Sequence, residues 1–388
     1  MEKTINECFF QIQNGANIKQ GDVEGGFPIT RIETTANDKF NRDRMGYAGI
    51  TDISKYEAYV LEDGDLLMSH INSVQYLGRT VLYVKQPDET IIHGMNLLRL
   101  KARRNIINPA YARYCFYGHT FRCQIGNITK KSVNQASFAV KDLKQIKIEV
   151  PSLDVQNKVV VILDRVQKLI DMRNNELASL DDLIKARFVE MFGSIHESTE
   201  YPYVAVKDLT DVISGGTPSR DKSEYWEDGT IPWVKTTELQ NNIIVNVDEY
   251  ITEAGLNGSS AKLVPVGTVL IAMYGQGKTR GMTAYLNIEA CTNQACACIL
   301  PSDRIDSMFM WKFFELSYEK LRSLAQGAGQ PNLNGNMIKN FQVLVPPIEL
   351  QREYVDFVRQ TDKSKVAVQK ALDEAQLLFD SLMQQYFG

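Results

Sequence analysis

The chain is short of most features that mark a membrane protein, a disulfide scaffold or a metal enzyme. No apolar stretch approaches the ~18–20 residues that a membrane-spanning helix needs, and a run such as Val159–Leu163 is far too short. The opening residues, Met1-Glu2-Lys3-Thr4-Ile5-Asn6-Glu7-Cys8, hold no apolar core and no small-residue cleavage site. No secretory signal is therefore visible, and a soluble, cytoplasmic chain is expected. Six cysteines are too few and too irregularly spaced for a disulfide framework. Cys296 and Cys298 alternate within an apolar run, which suits a buried strand. No second Cys/His pair stands at zinc-ligand spacing, and the four histidines (His70, His93, His119, His196) are isolated. Neither a metal centre nor a nucleophilic triad can be assembled from them.

Net positive charge is missing as well. The chain carries −4 overall, and its parts differ: +4 over residues 1–149, −1 over 150–193, −5 over 194–344 and −2 over 345–388. That balance argues against a protein that grips DNA by bulk electrostatics alone. Local basic loops, or a partner that supplies phosphate contacts, remain compatible with it. Enzyme signatures are absent too. Gly275-Gln276-Gly277-Lys278-Thr279 hints at a phosphate loop, but the glycine required five residues before Gly277 is Ala272. A basic loop between two strands is the better reading. Asn108-Pro109-Ala110-Tyr111 lacks the second proline of a methyltransferase tetrapeptide, and no Rossmann glycine fingerprint follows a strand.

What the chain does have is an internal repeat. At 388 residues, 44% hydrophobic and 23% charged, it is long enough and ordinary enough for two globular domains. Residues 134–193 align without a gap on residues 329–388, at a constant offset of 195. Gln135 meets Gln330, Val150-Pro151 meets Val345-Pro346, Gln156 meets Gln351, and Phe192-Gly193 meets Phe387-Gly388. Upstream the match continues with small offset changes: Gly64 with Gly267, Gly78 with Gly281, Thr80 with Thr283, Pro28 with Pro232.

The C-terminal part of each repeat is free of glycine and proline from Asn157 to Phe192 and from Leu350 to Phe387. Val155, Val159, Ile162, Val166, Leu169, Leu180 and Ile184 follow a three-four spacing, and Leu350, Tyr354, Phe357, Val368, Ala375 and Phe379 take equivalent positions in the second copy. This spacing predicts two long amphipathic helices. Neither can bury its stripe alone, and the economical partner is the other copy in the same chain, as an antiparallel coiled coil. The rest of each repeat is broken by turn signals such as Gly25-Gly26 and Gly215-Gly216-Thr217-Pro218, with short β-prone runs at 80–84, 268–272 and 295–300 and helical stretches at 109–117 and 308–324. The expected fold is α+β. Two similar globular domains, 1–149 and 194–344, are each followed by a long helix, 150–193 and 345–388, and the helices pair with pseudo-twofold symmetry.

Polar, planar and cationic side chains cluster in the turn-rich segments. The first repeat offers Lys130, Lys131, Asn134 and Gln135. The second offers Arg220, Lys222, Tyr274, Gln276, Lys278 and Arg280, then Gln330, Asn332 and Asn334. Asn and Gln match the adenine N6/N7 edge, whereas Arg and Lys match guanine O6/N7. The same Asn/Gly-rich segments also serve as turn devices.

Taken together, Ile213-Ser214-Gly215-Gly216-Thr217-Pro218-Ser219-Arg220, Tyr225-Trp226 and Gly229-Thr230-Ile231-Pro232-Trp233-Val234-Lys235-Thr236 resemble the opening of a target-recognition domain in type I restriction-modification specificity (S) subunits. Thr292-Asn293-Gln294, Gly329-Gln330-Pro331-Asn332-Leu333 and Val345-Pro346-Pro347-Ile348-Glu349-Leu350-Gln351 resemble further elements of that family. The first repeat departs more, with Gln13-Asn14-Gly15 in place of the Gly-Gly-Thr-Pro run and Gly26-Phe27-Pro28 in place of Ile-Pro-Trp.

The resemblance implies a non-catalytic subunit that reads a bipartite, asymmetric target in double-stranded DNA, one half-site per globule, with the helix pair as a fixed spacer. It implies two modification (methyltransferase) subunits as partners, and restriction/translocase subunits that complete the endonuclease. S-adenosylmethionine, ATP and Mg are then expected on those partners, with no cofactor or metal and no membrane for this chain. The competing expectation is a coiled-coil adaptor whose globules bind protein or carbohydrate.

Overall fold

The computed structural model describes residues 1–21, 24–133, 135–275, 277–325 and 332–388. The repeat is visible in its longest elements: helices span Leu153–Phe192 and Ile348–Phe387, 40 residues each and 195 apart. Each begins just after a proline-containing extended segment, where a helix cannot continue backwards. By compactness the chain divides into a first unit of Met1–Asn174 with Lys370–Gly388 and a second unit of Asn175–Gln369. Both dividing lines fall inside a long helix, again 195 residues apart.

Within each unit the globular part is tied off by its first and last strands. Glu2–Thr4 pairs antiparallel with Lys147–Glu149 in the first unit, and Tyr203–Ala205 with Gln342–Leu344 in the second. The central sheet of the first unit runs in the order Phe9–Asn14, Leu97–Ala102, Leu66–Ser69, Thr80–Leu82, all antiparallel. In the second unit Val212–Ser214, Cys296–Ile299, Val269–Ala272 and Thr283–Leu286 repeat that order, and Asn242–Ile244 is added in parallel at the edge. Gly64 and Gly267 open the equivalent hairpins at φ 85° and 88°, where only glycine is unstrained.

The β-prone runs read from the sequence are strands, shortened by a residue or two at their ends. Pro109–Tyr117 is a helix as expected, with Asn108 as its N-cap. The stretch 308–324 is instead two helices, Ser307–Leu316 and Tyr318–Ser323. Ser317 between them turns its hydroxyl back onto the Phe313 carbonyl at 2.6 Å, a local bond that competes with helix continuation.

The long helices pair antiparallel inside each unit. In the second, Arg187 meets Glu353 at 2.8 Å, Lys365 meets Asp181, and the Phe188 and Tyr354 rings stand edge to face at 5.5 Å. In the first, Val159, Val160 and Leu163 share a core with Phe379, Leu382, Met383, Tyr386 and Phe387. The apolar stripe, however, lies about one residue further round than the spacing suggests. Val159, Val166, Ile184, Tyr354 and Val368 are buried, and Leu180, Leu350, Phe357, Ala375 and Phe379 are half-buried.

Val155, Ile162 and Leu169 are exposed by 44%, 37% and 46%, and this corrects their assignment to the pairing face. Gln156, Leu163 and Ile170 take those places, with Gln351 and Val358 beside their counterparts in the second helix. The reason is that the helix start is fixed by a buried polar residue. Gln156 aims inward at backbone groups of its globule, and one position on a helix is a rotation of about 100°.

Candidate nucleic-acid interface

Register places the sequence candidates of the second unit at one end of its sheet. Ser214 pairs with Ala297, Ile271 with both Ala297 and Thr283, and Ala272 with Cys296. The segments leaving that end are therefore 215–220, 273–282 and 292–295. Met273 N–H bonds the Ala295 carbonyl at 2.8 Å, and Leu333 N–H bonds the Met273 carbonyl at 3.0 Å, which brings Asn332 and Asn334 to the same end. Gly215 and Gly216 cross so close beneath that an added Cβ would sit 2.1 Å from the Thr292 hydroxyl or 2.3 Å from the Ser260 carbonyl carbon.

The cationic loop between the two strands is held from behind. Tyr318 hydroxyl donates to the Lys278 carbonyl at 2.7 Å, and Arg322 donates to the Arg280 carbonyl at 2.7 Å. Tyr274 and Lys278 stay exposed, and Arg280 is half-buried. Asn334 is exposed, but its side-chain oxygen accepts Met337 N–H at 3.0 Å as a helix N-cap. That is the turn-device use of asparagine.

Beside this loop the Gly-Gly-Thr-Pro segment builds a second feature. Trp233 lies buried with its indole N–H on the Gly216 carbonyl at 3.0 Å. Trp226 stands edge-on to it at 5.1 Å and donates to the Ser219 carbonyl at 3.0 Å. The Arg220 guanidinium lies 3.6 Å from the Trp226 ring centre and 5.0 Å from that of Trp233. Its Nη2 meets Glu249 at 2.7 Å, and Lys235 meets the other Glu249 oxygen at 3.0 Å. Burial pushes the Glu249 carboxyl up, but the bonds from Lys235 and Arg220 outweigh it and hold the carboxyl below its ordinary value. Lys222 donates to the Tyr225 hydroxyl at 2.9 Å.

The first unit builds the same end from different residues. Asn14 pairs with Leu98, Met68 with Leu98 and Thr80, and Ser69 with Leu97, so 15–20, 70–79 and 93–96 leave together. Gly15 does what Gly215 does: its added Cβ would lie 2.1 Å from the Gly94 oxygen. The loop is again held by an arginine from behind, Arg122, which donates to the Leu77 and Gln75 carbonyls. Lys130–Lys131 pairs with Ala136–Ser137, which pairs with Ile71–Asn72, so exposed Lys130, Lys131 and Gln135 stand beside that loop. Asn134, Gln276 and Gln330 lie outside the described residues.

The sequence reading missed Tyr76 and Arg79 in the first-unit loop, where the guanidinium lies 4.6 Å from the Tyr76 ring centre and ion-pairs with Asp38 at 2.8 Å. The alignment of Gly78-Arg79-Thr80 with Gly281-Met282-Thr283 carried the signal. It placed Trp226 in the same motif as Arg220 without pairing the two, and it missed Glu249, which lies 29 positions away, because nothing in the sequence joins positions so far apart. Cys296 and Cys298 are buried on their strand, as the alternation predicts, and burial pushes the Cys298 thiol up to about 11. Among the described residues no helix is long and apolar enough to cross a membrane, and no three His, Cys, Asp or Glu side chains group as metal ligands.

Comparison with known proteins places this duplicated architecture. The family described as the type I restriction modification DNA specificity domain matches twice, over residues 2–181 and 199–375. A putative type I restriction enzyme MjaX specificity subunit from Methanocaldococcus jannaschii is 27% identical, over 95% of this chain and 90% of its own. The EcoR124I/EcoR124II specificity subunit from Escherichia coli is 22% identical over 58% of this chain and 57% of its own. The crystal structure of a type I restriction-modification S subunit from M. genitalium shares the fold, with a TM-score of 0.61 at 13% identity over 100% of this chain and 96% of that one. With one match in each repeat, the chain belongs to the type I restriction-modification DNA specificity family, and it is a specificity subunit carrying two DNA specificity domains.

Proposed function

We propose that this chain is the non-catalytic, cytoplasmic reader of a type I restriction-modification enzyme, recognising a bipartite, asymmetric target in double-stranded DNA. Each repeat reads one half-site with the sheet end described above, and the long helices set the gap between half-sites. The observation that carries this reading is the double construction of that end. Two units with different exposed residues share the glycine crossing, the loop after the third strand and an arginine that fixes the loop from behind. Two readers of one design with different faces are what an asymmetric two-part target requires.

On this reading Lys130, Lys131, Asn134 and Gln135 address one half-site. Arg220, Lys222, Tyr274, Gln276, Lys278, Arg280, Gln330, Asn332 and Asn334 address the other. Two modification subunits bring S-adenosylmethionine chemistry, and restriction/translocase subunits bring ATP and Mg. The chain's overall charge of −4 fits a reader whose partners help to enclose the DNA.

The test is co-expression with a modification subunit, followed by mapping of methylated adenines across the host genome. Methylation at a two-part motif with a fixed gap, dependent on this chain, is the expected result. A stable complex without new methylation would favour an adaptor instead.

A further inference from the structure

The Arg220 cluster has a geometry that bulk DNA binding does not need. The guanidinium plane is fixed by the Trp226 face at 3.6 Å, and one of its edges is taken by Glu249 at 2.7 Å. The side chain is nevertheless 52% exposed, so its remaining donors are presented outward in a set plane. Trp226 is itself anchored through the Ser219 carbonyl, and Glu249 through Lys235. A lysine could neither stack in this way nor present a planar fork.

Charge discriminates between the two partners such a fork could take. Arg220 and Lys235 are balanced locally by Glu249 and Asp248, the latter 3.5 Å from Lys235. Residues 219–228 add Asp221, Glu224, Glu227 and Asp228 against Lys222. A DNA phosphate approaching this cluster meets a neutral-to-acidic surface and gains little. A base edge carries no net charge, is repelled by the carboxylate far less than a phosphate is, and needs two donors held in one plane. Guanine presents that pair of acceptors, O6 and N7, in the major groove.

We infer that Arg220 is a specificity-determining residue that reads a single guanine in the half-site of the second repeat, with Trp226 and Glu249 as its positioning residues. This rests on the DNA-reading function proposed above and goes beyond it by assigning one residue to one base.

The test uses the full complex with its modification subunit, and compares wild type with Arg220→Lys and Glu249→Gln by methylated-adenine mapping and by binding at several salt concentrations. Arg220→Lys keeps the charge and loses the fork. The expected result is that one G·C position of one half-site becomes tolerant of other bases, with discrimination there falling by about 10- to 100-fold and every other position unchanged. Glu249→Gln is expected to relax the same position by a smaller factor, at an unaltered salt slope.

An unchanged motif in Arg220→Lys would overturn the inference. So would a uniform loss across all targets, the signature of a phosphate contact, or relaxation of a different position by Glu249→Gln. The wild-type control separates the underlying reading: if wild type gives no two-part methylation at all, that reading fails and this inference falls with it.

Discussion

Gln351, in the first turn of the second long helix, accepts the backbone N–H of Asp306 at 2.8 Å while almost fully buried. Its amide NH2 donates to the Pro346 carbonyl at 2.7 Å. Asp306 in turn caps the helix Ser307–Leu316 through the N–H groups of Met308 and Phe309. One repeat earlier, Gln156 bonds Asn108 N–H at 2.8 Å and the Pro151 and Ile106 carbonyls, and Asn108 caps Pro109–Tyr117. In both copies a single buried amide thus fixes the long helix onto its globule.

Removing that amide should be costly. Gln351→Leu leaves a buried N–H and a buried carbonyl unpaired, which is expected to destabilise the second unit by about 2–4 kcal/mol. Gln156→Leu orphans a third group and is expected to cost the first unit at least as much. Urea unfolding of each variant, followed by a probe in each unit, measures this. A change under about 0.5 kcal/mol would reduce the amides to ordinary surface polar groups.

The gap between half-sites should follow helix length. A four-residue insertion after Asn174 together with one after Gln369 falls at repeat-equivalent points, so both helices lengthen by about one turn, near 6 Å. One to two base-pair steps of 3.4 Å are expected to be added to the methylated motif's gap. If the gap stays the same, the helices are not the spacer.

The two cationic loops should act independently. Lys278→Ala is expected to weaken binding evenly across sequences and to lower the salt slope by about one, the behaviour of a phosphate contact. Arg280→Ala should disturb the second-repeat half-site alone, and Arg79→Ala the first-repeat half-site alone. Competition binding with each half-site scrambled in turn decides this. Equal loss at both half-sites for Arg280→Ala or Arg79→Ala would contradict independent reading, and a Lys278→Ala variant with an unchanged salt slope would exclude the phosphate contact.

Acid should weaken the first unit through His93. The ring is fully buried, bonded to the Leu97 carbonyl at 2.9 Å, and burial pushes its pKa down to about 3, with Arg99 and His70 also opposing the proton. Because the folded value lies below the unfolded one of about 6.5, the unfolded chain takes up the proton first. Stability is therefore complete above about pH 6.5 and falls as pH drops towards about 3, by about 1.4 kcal/mol per pH unit from this group. Denaturant midpoints for wild type and His93→Gln at pH 7 and pH 5 check the slope. A variant whose midpoint falls as steeply as that of wild type would exclude His93 as the cause.

The division between what was legible in the sequence and what was not follows physical lines. Periodicity, glycine position and the constant offset of 195 are local or repeated properties, and they determined the duplicated α+β plan, the two long helices and the strands around Gly64, Gly78, Gly267 and Gly281. The loop bearing Lys278 and Arg280 was legible for the same reason, because turn chemistry lies within a few residues, whereas Lys130 and Lys131, read as loop residues, form a short strand paired with Ala136–Ser137.

Tertiary packing decided the rest. Apolar spacing left the stripe free to turn by one position, and only the pull of Gln156 and Gln351 on distant backbone groups placed Val155, Ile162 and Leu169 outside. The union of Arg220 with Glu249 likewise depends on how strands 231–234 and 249–251 pair. Long-range pairing of that kind leaves no mark on either segment alone.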